Sequence, residues 1–461
     1  MDISTKIHPM ALSPELIQKY NRPVPRYTSY PTVPFWDNSI NPSKWENLVV
    51  KAYENFGKEE GISLYIHLPF CESLCTYCGC NKRITKNHKV EEPYLEAVLL
   101  EWEHYLGILG EYPKLNAIHL GGGTPTFFSP EALEFLISKI LKTSEISQNF
   151  EFSFEGHPNN TTYEHLLELA QLGFDRVSFG IQDFDLEVQK AIHRYQPFEV
   201  VKKATDNARI AGYSSINFDL IYGLPYQTEE TLRKTFEQVA QLRPDRIAFY
   251  SYAHLPSAFP AQKAYEAHLP NEREKRALYE LGKEILLQMG YEEIGMDHFA
   301  LPNDPLFLAK KQGNLHRNFM GYTTVASKIL LGLGSSSISD VWLGFAQNEK
   351  KVEAYEDTVN HHQIPTVKGH ALTDEDLKVR ELILDLICKG KAVIPEFIWT
   401  KIPESHRQQL SEMEQEGLVR IKNSNLEITE DGMGVVRNIC AIFDLKMIGK
   451  SQLQPVFSKS I

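Results

Sequence analysis

The chain has 461 residues, of which 42% are apolar and 23% are charged, and its formal net charge is 48 − 60 = −12. This composition excludes a disordered or fibrous chain, and the length favours two or three folding units. The acidic balance disfavours nucleic-acid partners, and because the chain lacks both an apolar run of about 18 residues and a signal-peptide core, we expect a cytoplasmic protein without membrane contact.

Residues 1–58 are predicted to form an irregular arm with some helix. The arm contains the string NRPVPRYTSYPTVPF, which is rich in Pro and Tyr and has little hydrophobic period. Arg26, Tyr27 and Tyr30 lie in this string. We expect the arm to drape over the body of the protein, either closing a site against water or acting as a surface strap packed by its aromatic side chains.

Residues 59–368 are predicted to form a catalytic domain in which short strands alternate with amphipathic helices. This alternation indicates parallel βαβ units. Six units fit an α/β fold of the incomplete (β/α)6 TIM-like barrel type, or an open doubly wound sheet. The six strands are predicted at 63–70, 115–121, 150–156, 176–182, 216–223 and 246–252.

Residues 369–461 are predicted to form a mostly helical, winged-helix-like domain. Before it, the stretch 270–345 contains a long helix, the strand-like EEIGMDHF and the Gly/Ser-rich GLGSSSIS. The boundary is placed near PTVKGHALT, where the alternation of strands and helices gives way to a helical period.

Four of the six cysteines lie within ten residues, at Cys71, Cys75, Cys78 and Cys80. Such density suits metal ligation better than disulfides in a reducing compartment. The first three have the spacing C-x3-C-x2-C. Three thiolates can hold three irons of a [4Fe–4S] cluster and leave the fourth iron open to a small molecule. The alternative is a structural zinc ion with Cys80 as fourth ligand, although zinc sites usually pair two knuckles that are distant in sequence.

The loop follows the first predicted strand, which places it at the rim where barrel enzymes carry their chemistry. A C-x3-C-x2-C string with an aromatic residue before the third Cys resembles the radical S-adenosylmethionine (SAM) superfamily. The resemblance implies that SAM chelates the open iron through its amino and carboxylate groups. Reductive cleavage of SAM then yields methionine and a 5′-deoxyadenosyl radical.

Several further strings are similar to those of the oxygen-independent coproporphyrinogen III oxidases, over nearly the whole chain. They are RYTSYPT, YIHLPFCESLCTYCGC, GGGTPT, SFGIQDF, IHR, DLIYGLP, RNFMGYTT and RNIC. The resemblance implies that two propionates of coproporphyrinogen III are oxidatively decarboxylated to vinyl groups, giving protoporphyrinogen IX. It also implies one [4Fe–4S] cluster on Cys71, Cys75 and Cys78, two SAM molecules, a small electron-transfer protein as reductant, and a monomer.

The resemblance further assigns SAM contacts to individual positions. The first SAM is expected at Tyr65, Gly122, Glu155 and Ile338. The second is expected at Tyr77, Gly123, Thr124, Gln182, Arg194, Asp219 and Ala253. Independently of the resemblance, Gln182, Asp219 and Ala253 end or follow strands four, five and six, so the barrel interpretation puts them on the rim that carries the cysteine loop.

Three other positions bear on the function. His67 is either a hydrogen-bonded core residue or one that tunes the cluster, and Cys388 and Cys440 are expected to be small buried hydrophobic residues. Met320 stands where we expect Gln in this family, which puts one polar contact in doubt.

Two alternative functions stay open. Haem-chaperone paralogues share the cluster motif but lack the RYTSYPT arm and the C-x-C extension, both of which this chain has. Met320 leaves open another radical SAM enzyme that acts on porphyrins.

Overall fold

The computed structural model describes residues 13–448 together with Phe457 and Lys459. The helices are α1 Pro14–Tyr20, α2 Pro42–Ala52, α3 Lys58–Glu60, α4 Glu91–Leu109, α5 Pro130–Lys142, α6 Tyr163–Gln171, α7 Leu186–Ala191, α8 Phe198–Ile210, α9 Glu229–Leu242, α10 Glu272–Gln288, α11 Pro305–Gln312, α12 Val352–Asn360, α13 Asp374–Lys389, α14 Glu396–Lys401, α15 Glu404–Gln415, α16 Glu430–Met433 and α17 Val436–Ile442. No helix in this described part is both long and apolar enough to span a bilayer.

Nineteen strands accompany these helices in the described residues. They are β1 Ile62–Leu68, β2 Phe70–Cys71, β3 Arg83–Ile84, β4 Lys114–Gly122, β5 Glu145–Gly156, β6 Phe174–Gln182, β7 Ser215–Tyr222, β8 Arg246–Ser251, β9 Glu292–Gly295, β10 His298–Ala300, β11 His316–Asn318, β12 Gly321–Thr323, β13 Leu330–Leu333, β14 Ile338–Asp340, β15 Gly344–Asn348, β16 Thr366–Ala371, β17 Lys391–Val393, β18 Val419–Lys422 and β19 Asn425–Ile428.

The central sheet contains the six predicted barrel strands in chain order. The full order is β16-β15-β14-β13-β1-β4-β5-β6-β7-β8-β10-β9, and β1, β4, β5, β6, β7 and β8 pair in parallel throughout. The antiparallel strands β10 and β9 extend this set beyond β8. Beyond β1 comes the parallel strand β13, followed by the antiparallel strands β14, β15 and β16. The prediction of an incomplete (β/α)6 barrel is therefore confirmed.

The barrel strands alternate between an apolar outer face and a polar inner face. In β1, Ile62, Leu64, Ile66 and Leu68 are completely buried in the main hydrophobic core, beneath the surrounding helices. The alternate residues of β1 point into the lumen, where Tyr65 stacks on the ring of a neighbouring strand. Strands buried on both faces normally carry near-continuous apolar runs. A polar inner face therefore supplies hydrogen-bonding groups to the interior of the barrel.

One further parallel strand was not predicted. β13 pairs in parallel with the free edge of β1, and its residues come from the stretch we described as Gly/Ser-rich. β14, β15 and β16 then continue the sheet in antiparallel order. β16 runs to Ala371 and so crosses the predicted boundary at 368/369; the domain limits stay a prediction.

A second hydrophobic core joins the C-terminal helices to the arm. Its members come from α13 to α17 and the sheet β17-β19-β18, but also from the arm and from β9 to β12. Tyr20, Tyr27 and Tyr30 of the arm are almost completely buried there, as are Cys388 and Cys440. The mostly helical C-terminal domain agrees with the winged-helix-like prediction, and its core includes residues of the other two segments.

Candidate active site

The cysteine loop lies between β2 and β3 at the carboxyl end of β1. Cys71 and Cys75 are buried, Cys78 is half-buried and Cys80 is exposed. Each of the first three sulfur atoms lies within hydrogen-bonding distance of one donor. The donors are the Thr124 hydroxyl, 3.3 Å from Cys71 Sγ, Arg194 Nη1, 3.4 Å from Cys75 Sγ, and the Cys80 backbone N–H, 3.5 Å from Cys78 Sγ. Donors aimed at sulfur favour the thiolate form that binds iron.

The thiols of the cysteine loop differ in their pKa values. A hydrogen bond from Cys80 and the charge of Lys82 outweigh burial and lower the pKa of the Cys78 thiol to about 6, whereas burial raises the pKa of Cys71 to about 11. Within the described residues, no three His, Cys, Asp or Glu side chains come close enough together to hold a single metal ion.

The glycine string after β4 packs directly against this loop. Gly122 has φ +118°, and a Cβ there would lie 2.7 Å from the His67 ring. A Cβ on Gly123 would lie 2.5 Å from the Pro69 carbonyl oxygen. The Gly122 N–H donates to Glu155 Oε2 at 3.2 Å. Glycine is needed here because any larger residue would separate the rim from the cysteine loop.

His67 has a defined hydrogen-bonding role. Its Nε2 donates to the Asn81 carbonyl oxygen at 3.0 Å, so its Nδ1 is free to accept from the Tyr65 hydroxyl, also at 3.0 Å. The Tyr65 ring stacks on His119, with centroids 6.0 Å apart. Burial lowers the pKa of His67, which keeps the ring neutral. His67 thus links β1 to the end of the cysteine loop.

Tyr65, Gly122, Glu155 and Ile338 occupy neighbouring strands at this side of the rim. Tyr65 is in register with Gly332 of β13, and the Ile338 carbonyl lies so close to Gly332 that a Cβ there would meet it at 2.7 Å. Ile338 therefore reaches the site only because β13 and β14 extend the sheet beside β1. His119, which lies 3.6 Å from Glu155 and accompanies this group, was not predicted.

Arg194 connects the cysteine loop to β6. Besides its contact with Cys75, its Nη2 donates to the Gly180 carbonyl oxygen at 2.6 Å. Gln182, the last residue of β6, has φ +68°, and its amide lies beside the same glycine. Gly180 is in register with Asp219 of β7. Thr124 and Arg194, both predicted for the second SAM, thus contact the cysteine loop, and Gln182 and Asp219 lie beside Gly180, to which Arg194 is hydrogen-bonded.

Asp219 is a buried carboxylate in the lumen. It accepts from Asn217 at 2.9 Å and from Ser178 at 3.2 Å. Burial, together with the charge of Glu155, raises the pKa of Asp219 to about 6. A cationic ligand would offset this cost, since it stabilises the ionised form.

Tyr77 and Ala253 are brought together by a residue that the sequence analysis missed. The side-chain amide of Gln262, which is 1% exposed, lies 3.4 Å from the carbonyl oxygens of both residues. Its Oε1 accepts from Leu255 N at 2.6 Å. A lone Gln in a loop carries no sequence signal for such a role.

Two buried arginines were also missed. Arg246 begins β8 and pairs with Asp304 at 2.8 Å, but its Nη1 and Nη2 are buried without a hydrogen-bond partner. Arg317 is 5% exposed, has no ion pair among the described residues, and leaves Nε and Nη1 without partners. The sequence does carry one signal for polar residues in the lumen, which is the alternation of polar and apolar residues along β5 to β8. Ser178 and Asn217, which face the lumen, are examples.

A row of aromatic rings connects Arg317 to the barrel wall. Its guanidinium lies 4.6 Å from the centroid of Tyr322, which contacts His298, which in turn contacts Tyr250 of β8. Burial and the charge of Arg317 lower the pKa of His298 to about 3, so this ring is neutral. Asp219 is in register with Ala248 of β8, which is in register with His298, so this carboxylate and the aromatic row beside Arg317 lie at the same level of the barrel. Arg246 lies at the start of β8.

The arm contributes one charged residue here. Arg26 Nη1 pairs with Asp297 at 2.5 Å, and its guanidinium lies 5.9 Å from the centroid of Tyr250. Tyr27 donates to Asp444 at 3.1 Å inside the second core. The aromatic residues therefore act as a surface strap, which is one of the two roles that the sequence analysis left open for the arm. Arg26 lies beside the lumen. Met320 is half-buried in the turn between β11 and β12.

Comparisons with known proteins agree with this geometry. The profile of the Radical SAM superfamily matches residues 65–239. The chain is 37% identical to "Oxygen-independent coproporphyrinogen III oxidase" of Synechocystis sp., with all of both chains covered, and 37% identical to the Escherichia coli (strain K12) protein of the same name, with 97% and 98% covered. A solved structure of coproporphyrinogen III oxidase (HemN) from Escherichia coli superposes with a TM-score of 0.84 at 35% identity, covering 91% of this chain and 97% of that one.

Proposed function

Because this chain belongs to the oxygen-independent coproporphyrinogen III oxidases, a family of radical SAM enzymes, we propose that it converts coproporphyrinogen III to protoporphyrinogen IX. In each of two steps a propionate loses one hydrogen atom, one electron and CO2, and a vinyl group remains. When bound, a [4Fe–4S] cluster and SAM supply the one-electron chemistry that forms the hydrogen-abstracting radical.

Three cysteines hold the cluster in this proposal. Cys71, Cys75 and Cys78 each have a donor near sulfur, and Cys78 is a thiolate at neutral pH because its pKa is lowered. Cys80 stays outside the ligand set, since its exposed position and its backbone hydrogen bond to Cys78 suit a supporting role.

Two SAM molecules share the rim in this proposal. The first contacts Tyr65, Gly122, Glu155 and Ile338, and the second contacts Tyr77, Gly123, Thr124, Gln182, Arg194, Asp219 and Ala253. The raised pKa of Asp219 supports a cationic ligand there, because the positive charge of SAM would stabilise the buried carboxylate.

The observation that carries the function is the unpaired arginine Arg317. A buried guanidinium without a counter-ion is costly, and pairing with a carboxylate removes the cost. Coproporphyrinogen III has four carboxylates. We assign Arg317 and the free Nη atoms of Arg246 to propionates that are not reacting, and Arg26, which is 32% exposed in its side chain, to the entrance. The reacting propionate then extends away from Arg317 and Arg246 towards the rim.

The remaining parts of the proposal concern the cell. The electron for each SAM cleavage comes from a small electron-transfer protein, and the enzyme acts as a monomer in the cytoplasm. No described helix is suited to span a membrane, which is compatible with this location.

One anaerobic assay tests the proposal. The reconstituted protein is incubated with SAM, dithionite and coproporphyrinogen III, and products are separated by chromatography. We expect protoporphyrinogen IX and two CO2 for each substrate molecule. Stable haem binding without SAM turnover, or methyl transfer to a porphyrin, would instead contradict the proposal and favour one of the two alternatives named above.

A further inference from the structure

The surface above the cysteine loop is basic although the chain as a whole is acidic. Between Glu72 and Glu91 the sequence contains no Asp or Glu but four Lys or Arg residues, against a net charge of −12 for the chain. We call the following set the basic surface: Lys82, Arg83, Lys86, Lys89, Lys350 and Lys351. All are exposed except Lys82, which is half-exposed.

Two hydrogen bonds assemble this surface from separate segments. The Asn81 side chain donates to the Lys350 carbonyl oxygen at 2.9 Å, which brings the segment before α12 against the cysteine loop. Lys82 Nζ donates to the Cys78 carbonyl oxygen at 2.9 Å. The basic surface is therefore a fixed feature of the fold and does not depend on a mobile tail.

The basic surface lies directly over the iron-binding thiols. β3 pairs with β2, so Ile84 lies beside Cys71, and the Thr85 N–H donates to the Cys71 carbonyl oxygen at 2.9 Å. An electron that enters through this surface has one strand to cross before it reaches a cluster ligand.

Most of these cations are not neutralised by the protein itself. Arg83 pairs with Glu353, and both partners are exposed. Lys86, Lys89, Lys350 and Lys351 have no ion pair within the described residues. Glu349 accepts from the backbone of Lys350, and Glu353 and Glu356 line the same cleft as Arg83 and Lys89. Leu74 and Ile84 are 44% and 40% exposed and supply apolar area among the charges. Apolar residues within a charged rim are typical of protein interfaces.

We propose that the basic surface docks an acidic one-electron carrier protein that reduces the cluster. This inference rests on the proposed function, which requires an electron for each SAM cleavage. Charge complementarity carries it: the exposed cations of this surface attract an acidic carrier to a place next to the cluster, although the chain as a whole carries a net negative charge. The encounter is therefore steered to the face from which electron transfer is shortest.

The test compares two electron donors on a charge-reversal variant. Lys86→Glu combined with Lys89→Glu changes two exposed side chains that hold neither cluster nor SAM. Cluster reduction is followed by loss of its visible absorbance after mixing with pre-reduced flavodoxin, which is acidic, or with dithionite. At low salt we expect the flavodoxin rate to fall about tenfold or more, and the dithionite rate and the bound iron to stay unchanged.

The control is Lys139→Glu combined with Lys142→Glu on α5, with the same spacing and exposure. It should leave both rates unchanged, and added salt should slow flavodoxin reduction of the wild type. An unchanged flavodoxin rate in the first variant, or an equal loss in the control, overturns the docking proposal. Because cluster reduction is measured without substrate, this result is separate from failure of the decarboxylation assay.

Discussion

At the scale of single residues, the chemistry of this protein depends on the thiols of the cysteine loop and on a buried guanidinium that has no hydrogen-bond acceptor among the described residues. Cys71, Cys75 and Cys78 have donors near sulfur but no shared metal-binding point, and Arg317 has buried N–H groups that nothing in the described chain accepts. Most buried polar groups in folded proteins are paired. Arg317 is an exception to this rule, and a bound anion would offset the cost of its unpaired guanidinium.

The roles of Cys78 and Cys80 can be separated by matched variants. We expect Cys78→Ala to lose the cluster, because it removes one of three iron ligands, and Cys80→Ala to keep nearly full iron and SAM cleavage. Iron and sulfide analysis with visible absorbance after anaerobic reconstitution measures both. Equal cluster loss in the two variants would show that Cys80 is a ligand and would favour the alternative in which all four cysteines bind the metal.

Arg317→Gln should weaken substrate use without harming the fold. We expect kcat/KM for coproporphyrinogen III to fall about 100-fold, mainly through KM, since a buried ion pair lost on one side costs about 3 kcal/mol. Without substrate, the free energy of unfolding should stay constant or rise, because an unpaired buried charge is removed.

Two variants serve as controls for this prediction. Arg317→Lys should recover part of the activity, and Arg420→Gln, on an exposed pair, should change nothing. A fall in unfolding free energy with unchanged KM would identify Arg317 as a structural residue.

At the scale of elements, the rim is assembled from strands whose ends meet although their sequences are far apart. β13 and β14 come after nearly all the other barrel elements and yet pair beside β1, which brings Ile338 to the site. The arm and α13 are held to the same sheet extension by His370 of β16. Its Nδ1 lies 3.1 Å from Asp37 and its Nε2 lies 3.6 Å from Asp376.

The His370 contacts predict a pH-dependent stability. Burial acts to lower the pKa of His370, but hydrogen bonds and charge from Asp376 and Asp37 outweigh it and raise the pKa above 6.5. The stabilisation is complete below pH 6.5 and disappears as pH rises through the folded-state value. His370→Asn should therefore cost about 1 kcal/mol more at pH 6 than at pH 9 in denaturant unfolding.

His361→Asn provides the comparison, because that histidine is exposed. It should show no such difference between the two pH values. A pH-independent loss in His370→Asn would mean that the residue acts through packing alone.

At the scale of the whole molecule, the chain forms two hydrophobic cores, and the second of them takes residues from several separate segments of the sequence. The barrel core is built from the barrel strands and the helices around them. The second core takes Tyr20, Tyr27 and Tyr30 from the arm, further residues from the segment β9 to β12, and the remainder from the C-terminal helices and their small sheet. Arg437 and Asn438 fasten the arm to this core, since Arg437 Nε donates to the Pro25 carbonyl oxygen at 3.1 Å.

This shared core predicts that residues 369–461 do not fold alone. Without the arm and the β9 to β12 segment, the apolar surface of α13, α15 and α17 stays exposed, and the conformational entropy of the chain is not offset. The isolated segment should melt without a cooperative transition in circular dichroism, while the full chain melts cooperatively. A sharp, reversible transition in the segment would support an independent domain instead.

Sequence by itself determined what depends on local spacing. The C-x3-C-x2-C string, the glycines after β4 and the alternation of strands and helices are read within short windows, and handedness and connectivity rules then put six strand ends on one rim. The placement of Cys71 and Glu155 at that rim followed from this alone, whereas Asp219, expected at a strand end, lies in the middle of β7. The radical SAM and coproporphyrinogen oxidase resemblance came from the likeness of whole sequence strings to those of the family.

Only the tertiary structure decided what depends on contacts between distant segments. The pairing of β13 with β1, the burial of Tyr27 under α17 and the missing counter-ion of Arg317 all depend on which segments pack together after folding. The hydrophobic pattern of a segment indicates which residues are buried, but it does not indicate which distant residues they contact. For that reason the cysteine loop was found in the sequence, whereas the basic surface above it and the unpaired guanidinium groups of Arg246 and Arg317 were found only in the tertiary structure.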